Sequence, residues 1–283
     1  MMAQRELNHR IGRRRPDFLA LVGLAIGIGG ILMGLLMEGG RISDVAQVTA
    51  ALIVFGGTLG ATMLTTPPSM LRSAVKRLRT VFIDVDTDLD AIIELVVSLS
   101  LKARRAGLVA LEQEIEQIRH PFLNRALMLA VDGTPPGDLR EMMELEMKLD
   151  VNAAEMDAKV YEAAGGYAPT IGILGAVIGL IQVMKHLDNL SAVGYGIAVA
   201  FVATIYGVGS ANLILLPLGQ KVRLRSWQAV KAKQLMLEGV LSISEGTNPR
   251  LIRRKLAAFQ CEGELNKRIE PMPELIRRKA ASA

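Results

Sequence analysis

The chain has one cysteine, Cys261, and three scattered histidines among its 283 residues. A lone cysteine forms no intramolecular disulfide, and isolated histidines offer no ligand spacing, so neither a staple nor a metal centre is expected. Aromatic residues make up only 4%, which argues against a base-stacking nucleic-acid surface even though the net charge is +5. There is no nucleophile and base constellation and no phosphate-cradling glycine loop, so neither an enzyme nor a bound cofactor is expected. The most informative absence is local. Residues 18–37, 45–64, 167–184 and 196–218 contain no Asp, Glu, Lys, Arg or His.

A soluble core spreads its apolar residues at helical spacing, whereas here they are gathered into four blocks separated by charged segments. Each block has about the 20 residues needed to cross a hydrocarbon core at 1.5 Å per residue. The expectation is four transmembrane helices in an all-α, polytopic membrane protein with a helical cytoplasmic domain. The first block is longer than a signal-peptide core, and "MEGGRISD" after it offers no small-x-small cleavage site.

Basic residues set the orientation. Arg5, Arg10 and Arg13 to Arg15 precede the first span; Arg72, Lys76, Arg77 and Arg79 follow the second; Lys221, Arg223, Arg225, Lys231 and Lys233 follow the fourth. The short connections "EGGRISD" and "KHLDNLSA" carry one Lys or Arg each. The positive-inside rule then puts both termini and the long middle segment in the cytoplasm. The expected layout is a cytoplasmic N-terminus (1–17), spans one and two (18–66), a cytoplasmic helical domain (67–166), spans three and four (167–218), and cytoplasmic C-terminal helices and tail (219–283).

In the middle segment a helix is expected from Asp88, since Leu89, Ile92, Ile93, Val96 and Val97 follow the helical period until Gly107 interrupts. "LVALEQEIEQI" and "FLNRALMLAV" read as further helices, and Asp138 as the cap of a long helix that feeds into the third span. The tail reads as a helix from about Lys221 to Ser242, a break at "GTNP", and a short basic helix. No strand is expected.

Small residues recur at four-residue spacing in the spans, including Gly23 and Gly27, Gly30 and Gly34, Gly56 and Gly60, Gly175 and Gly179, and Gly207 and Ala211. Such faces let helices approach closely in lipid. Faces of this kind on every span exceed the needs of a four-helix monomer, so an oligomer is expected. Proteins that carry ions through their own spans keep an ionisable group at membrane depth. These spans offer only hydroxyls and amides, among them Thr58, Thr62, Thr170, Gln182, Thr204, Tyr206, Ser210 and Asn212. If protons cross here, another chain supplies the acid. Pro169 and Pro217 each free a backbone carbonyl, making a kink or hinge or simply marking a helix near a membrane surface.

The segments "GGYAPTIGILGAVIGLI", "YGVGSANLILLPLGQKVR" and "KARRAGLVALEQEIE", together with the two-plus-two span layout, resemble the MotA family, the stator subunits of the bacterial flagellar motor. The resemblance covers nearly the whole chain. It implies that Arg104, with Arg105, and Glu112 past Gly107 engage the rotor protein FliG. It implies that Pro169 and Pro217 shape a channel and its coupling, in helices packed through small residues such as Gly175 and Gly179. The partner it implies is MotB, a single-span protein whose membrane aspartate is the missing acid, with five copies of the chain around two of MotB in the bacterial inner membrane. Sodium-type relatives carry threonine at two positions; here these are Ala176 and Thr204. Alanine offers no oxygen ligand, so protons are expected. The role implied is flagellum-dependent motility and chemotaxis.

Two other classes compete. TolQ and ExbB proteins energise other envelope machines and resemble the last two spans, but they have three spans. A secondary transporter would need charge at the midplane.

Overall fold

The computed structural model describes residues 11–268, nearly all of them helical. Among the described residues, four helices are long and apolar enough to cross a membrane, with mean hydropathies of 2.4, 1.7, 1.7 and 1.9 in chain order. The all-α class holds, with one addition. Strand β1 (Ile11–Pro16) pairs with β2 (Ile83–Thr87) as a two-stranded ribbon. The signal was the alternation of Ile83 and Val85 with Asp84 and Asp86, too short to stand out beside the helices.

Helix α1 (Phe18–Met37) is capped by Asp17, whose carboxylate accepts the Ala20 N–H at 2.9 Å. None of its residues is buried within the chain. The second span, α2, comprises Val48–Ala51, a π-helical turn at Leu52–Gly56, and Gly57–Thr65. After Pro67 the chain enters α3 (Pro68–Phe82) with proline at its first turn, where the missing N–H costs nothing.

Helix α4 (Leu89–Ala106) starts at an Asp88 cap and stops at Gly107, which takes φ 85°, a left-handed conformation that glycine adopts without strain. The segment "LVALEQEIEQI" is not one helix: Leu108–Leu111 is a 3-10 turn and only α5 (Glu112–Ile115) is α-helical. Leu111 and Ile115, four residues apart, are both buried on one face. Helix α6 (Pro121–Val131) follows His120.

Helix α7 (Pro136–Lys185) is a single 50-residue element that includes the third span and contains Pro169. It begins two residues before Asp138, so that residue is not its cap. Pro136 is pre-organised for a first turn, and Asp138 lies within that turn, where its negative charge favours the helix dipole. Helix α8 (Leu190–Ser210) is capped by Asn189, passes through a π-turn at Ala211–Leu215, and continues as α9 (Leu216–Ser244). Gly246 at φ 69° ends it, and α10 (Pro249–Arg268) follows. Cys261 falls in this helix.

The chain forms two compact units. One holds Arg14–Val85 and Leu149–Gln228; the other holds Asp86–Lys148 and the residues from Ala229. The first therefore takes more than the spans. The reason is a set of ion pairs between their helical extensions: Arg77 Nε meets Asp157 at 2.6 Å, and Arg223 meets Glu155 at 2.8 Å and Glu162 at 2.9 Å.

The second unit has the larger core. Ile92, Leu95 and Leu99 of α4, Leu123 and Leu127 of α6, Met236 and Leu241 of α9, and Ile252 of α10 are almost fully buried. Burying side chains of this size gives about 1.5–3 kcal/mol each relative to exposure. Gly239 allows α9 to approach α4, since a Cβ there would fall 2.6 Å from Val96 Cγ1.

His120 is half-buried in this unit, and its Nδ1 has no hydrogen-bond partner. Burial, reinforced by Lys233 and Arg125 and opposed by Glu146, lowers its pKa from 6.5 to about 4. As pH falls through 6.5 the unfolded chain takes up a proton that the folded chain refuses until about 4, so this group's contribution is complete above that window and is lost within it. The expected loss is roughly 3 kcal/mol between the two values. Thermal melts of the wild type and His120→Asn across this window test it: the variant should show a shallower decline, and identical slopes would refute the assignment.

Candidate functional site

The expected site residues fall into two groups, one in each unit. In the first unit, α7 and α8 meet along a seam of small residues. Gly172, Gly175 and Gly179 of α7 are buried against Gly196, Ala200, Ala203 and Gly207 of α8. A Cβ on Gly179 would lie 2.8 Å from both the Ala200 N and the Gly196 O, and one on Gly207 would lie 2.6 Å from the Ala168 O. These are backbone atoms that cannot step aside, so hydrogen takes the place of a methyl group. The Gly175 position meets Ala203 and, in α2, Ile53.

Other glycines behave differently. Whereas a Cβ added to Gly27 of α1 would lie 3.3 Å from Leu213 of the same chain, Gly30 and Gly34 of α1, and Gly56 and Gly60 of α2, have no atom within 4 Å of an added Cβ. Their faces are open in the single chain. The structure therefore divides the glycine pairs into a seam inside the chain and faces available to other chains.

Ala176 and Thr204 each follow a seam residue, so each sits about a quarter-turn round its helix, and both are half-buried. Thr204 Oγ1 donates to the Ala200 carbonyl at 3.2 Å. Ser210 and Asn212 also donate to carbonyls of their own helix, at 3.2 and 2.9 Å. A hydroxyl or amide with no water nearby satisfies itself in this way. Thr58 Oγ1 is an exception, buried and without a hydrogen-bond partner.

The two prolines are accommodated differently. Pro169 is half-buried inside a continuous helix, where it leaves the Gly165 carbonyl without its intrahelical N–H donor. Pro217 is exposed and follows the π-turn containing Leu213, its corresponding partner. Widening that turn by one residue moves the carbonyl away from the ring. Pro217 also lines an apolar cavity of about 320 Å³ with Leu19, Gly23 and Leu213.

Just beyond Pro217 the chain is anchored. Asp17 accepts from Lys221 and, at 2.6 Å, from Arg225. Its hydrogen bond from Lys221 is the main cause of a carboxyl pKa below the usual range. Sequence reasoning took these cations as orientation signals and missed the carboxylate that joins them. Tyr206 is a second such anchor, legible in sequence only as one more hydroxyl: it donates to the Val45 carbonyl, accepts the Gln47 N–H at 3.3 Å, and stacks on Phe55 at 5.7 Å. In both cases the partners are more than 150 residues apart, beyond any local pattern.

In the second unit the charged residues cluster at a turn. Arg104 and Arg105 lie in the last turn of α4, and Glu112 opens α5; all three are exposed. None forms an ion pair or side-chain hydrogen bond among the described residues. Some other charges of the unit are paired, as with Arg140 and Lys255 on Glu238 and Arg253 on Glu94. The turn thus holds two guanidinium groups and a carboxylate ready for an external partner.

Two family models match the chain: the MotA/TolQ/ExbB proton channel family over residues 114–235, and Motility protein A N-terminal over residues 21–107. Motility protein A of Bacillus subtilis (strain 168) is 34% identical over 244 residues, covering 86% of this chain and 90% of that protein. Among solved structures, C. jejuni MotAB has a TM-score of 0.81 at 32% identity, covering 86% of this chain and 95% of that one. The flagellar MotAB stator complex from Bacillus subtilis has a TM-score of 0.78 at 34% identity, covering 85% and 95%.

Proposed function

The chain belongs to the MotA family of flagellar stator subunits, within the MotA/TolQ/ExbB proton channel family, and from that premise we propose that it forms a proton channel with MotB and passes torque to the rotor protein FliG. The observation that carries the channel part is that none of the four spans contains a charged residue. Ion movement across lipid needs a group that binds and releases the ion. In this reading MotB supplies it as a membrane carboxylate; solved MotAB complexes of relatives support MotB as the partner. The N-terminal match over residues 21–107 favours the motor role over a TolQ or ExbB scaffold.

In this proposal five copies surround two MotB chains in the inner membrane, with both termini, residues 67–166 and residues 219–283 in the cytoplasm. The open glycine faces of α1 and α2 supply contact between chains. Protonation of the MotB carboxylate changes packing against α7 and α8, and Pro169 in α7 and Pro217 at the start of α9 allow the movement. Each charge crossing releases about 2.3 kcal/mol per 100 mV, several times thermal energy. Ala176 denies sodium one oxygen ligand, which favours protons as the driving ion even though Thr204 keeps the second hydroxyl. Arg104, Arg105 and Glu112 meet the charged face of the rotor.

Proteoliposomes test the channel part. The chain alone should show no proton flux above that of empty vesicles, and flux should appear on co-reconstitution with MotB and vanish when its membrane aspartate is replaced by asparagine. Equal flux from the chain alone would refute the borrowed acid.

A further inference from the structure

The exposed turn is held from behind. Lys102 Nζ forms an ion pair with Glu114, bridging the last turns of α4 to α5 across Gly107. The pair is semi-enclosed, with Glu114 only 15% and Lys102 37% exposed. Arg104 lies two residues after Lys102, and Glu112 two residues before Glu114. Two residues are about 200° of helix rotation, so the bonded charges face inward and the unbonded charges face outward.

The elements around it would otherwise be weakly defined. Gly107 has open backbone space around it, with no atom within 4 Å of an added Cβ. The α5 helix has only four residues, too few to be stable by itself. Leu111 and Ile115 anchor its apolar side in the core, and Asn124 Nδ2 donates to the Ile115 carbonyl at 2.7 Å. Those contacts hold the end of α5 to α6. The Lys102–Glu114 ion pair joins α5 to α4 from the side chains.

We propose that Lys102 and Glu114 are positioning residues whose ion pair sets the separation of Arg104 and Glu112, so that the two outward charges meet the rotor as one rigid unit. This rests on the rotor-facing role proposed for those charges. Pre-setting the separation removes ordering entropy that would otherwise be lost on each engagement. A charge-assisted bond at a partly enclosed site is strong enough to do so, whereas a fully exposed pair is not.

Two measurements on the complete chain with MotB separate the brace from the role. In a Cys261→Ala background, spin labels at Arg104→Cys and Glu112→Cys should give a narrow distance distribution. Lys102→Glu or Glu114→Lys should broaden it, and the double exchange Lys102→Glu with Glu114→Lys should narrow it again. A distribution that stays narrow in the single variants, or that is not restored in the double, overturns the proposal. In motile cells with native Arg104, Glu112 and Cys261, each single reversal should shorten the residence of fluorescent stators at the motor about tenfold, with restoration in the double. Membrane level and proton flux should not change. Restored distances without any effect on residence would retain the brace as geometry but overturn its service to the rotor; a silent Arg104→Glu would show that the rotor role itself had failed.

Discussion

Gly207→Val is expected to eliminate most folded protein, whereas Gly30→Val leaves the isolated chain as stable as the wild type. At position 207 a Cβ alone would lie 2.6 Å from the Ala168 carbonyl and 3.0 Å from Gly172 Cα. Both belong to the backbone of α7, so relief requires the two helices to separate. Separation removes the contacts of Gly172, Gly175 and Gly179 together. Overpacking a core with flexible neighbours costs about 1–3 kcal/mol, and a backbone clash exceeds that range. Against a typical total of about 5–15 kcal/mol, such a loss is decisive. Position 30 has no atom within 4 Å. Melting of detergent-solubilised protein and its size-exclusion profile distinguish the variants. Gly30→Val should retain the melting temperature, and any change should appear as a smaller assembly, because its face is open to other chains. A wild-type melting temperature for Gly207→Val would show that the seam is not the contact joining α7 to α8.

Arg104→Glu, by contrast, should leave folding untouched and stop or nearly stop swimming. Arg104 is exposed and has no partner among the described residues, so its replacement breaks nothing inside the chain. Exposed substitutions of this kind usually change stability by no more than about 0.5 kcal/mol. Across an interface the same reversal places like charges together, which costs several kcal/mol. Glu112→Lys should act similarly, and Arg105→Glu less strongly, because Arg104 remains beside it. The measurement is swimming speed with stator level and proton flux as controls. Normal swimming in both Arg104→Glu and Glu112→Lys would refute the rotor-facing role; loss of stator level would shift the explanation to folding.

Much of this architecture is legible in local sequence because its causes are local. A helix that enters lipid must satisfy every backbone group within itself and carry few charges, so length and composition announce it. Phe18–Met37 appears with the bounds expected. Asp88 and Gly107 bracket α4 because capping and left-handed backbone depend on one or two residues. Asp138 misled for the same reason in reverse: an acidic residue suits both a cap and a first turn, and the proline two residues earlier decided between them. The charged turn was recognisable only through family resemblance, since exposed charges are ordinary on any helix.

The number of candidate spans and their charge-free character were determined by sequence alone, because each follows from the free energy of one segment in one solvent. Which glycines close the α7–α8 seam and which remain open, that Asp17 joins Lys221 and Arg225, and that Glu114 restrains Lys102 behind the free charges were decided only in the tertiary structure. Those choices depend on which backbone faces which at a separation of a few ångströms. A four-residue glycine spacing or an isolated carboxylate is compatible with several such arrangements, and packing selects one.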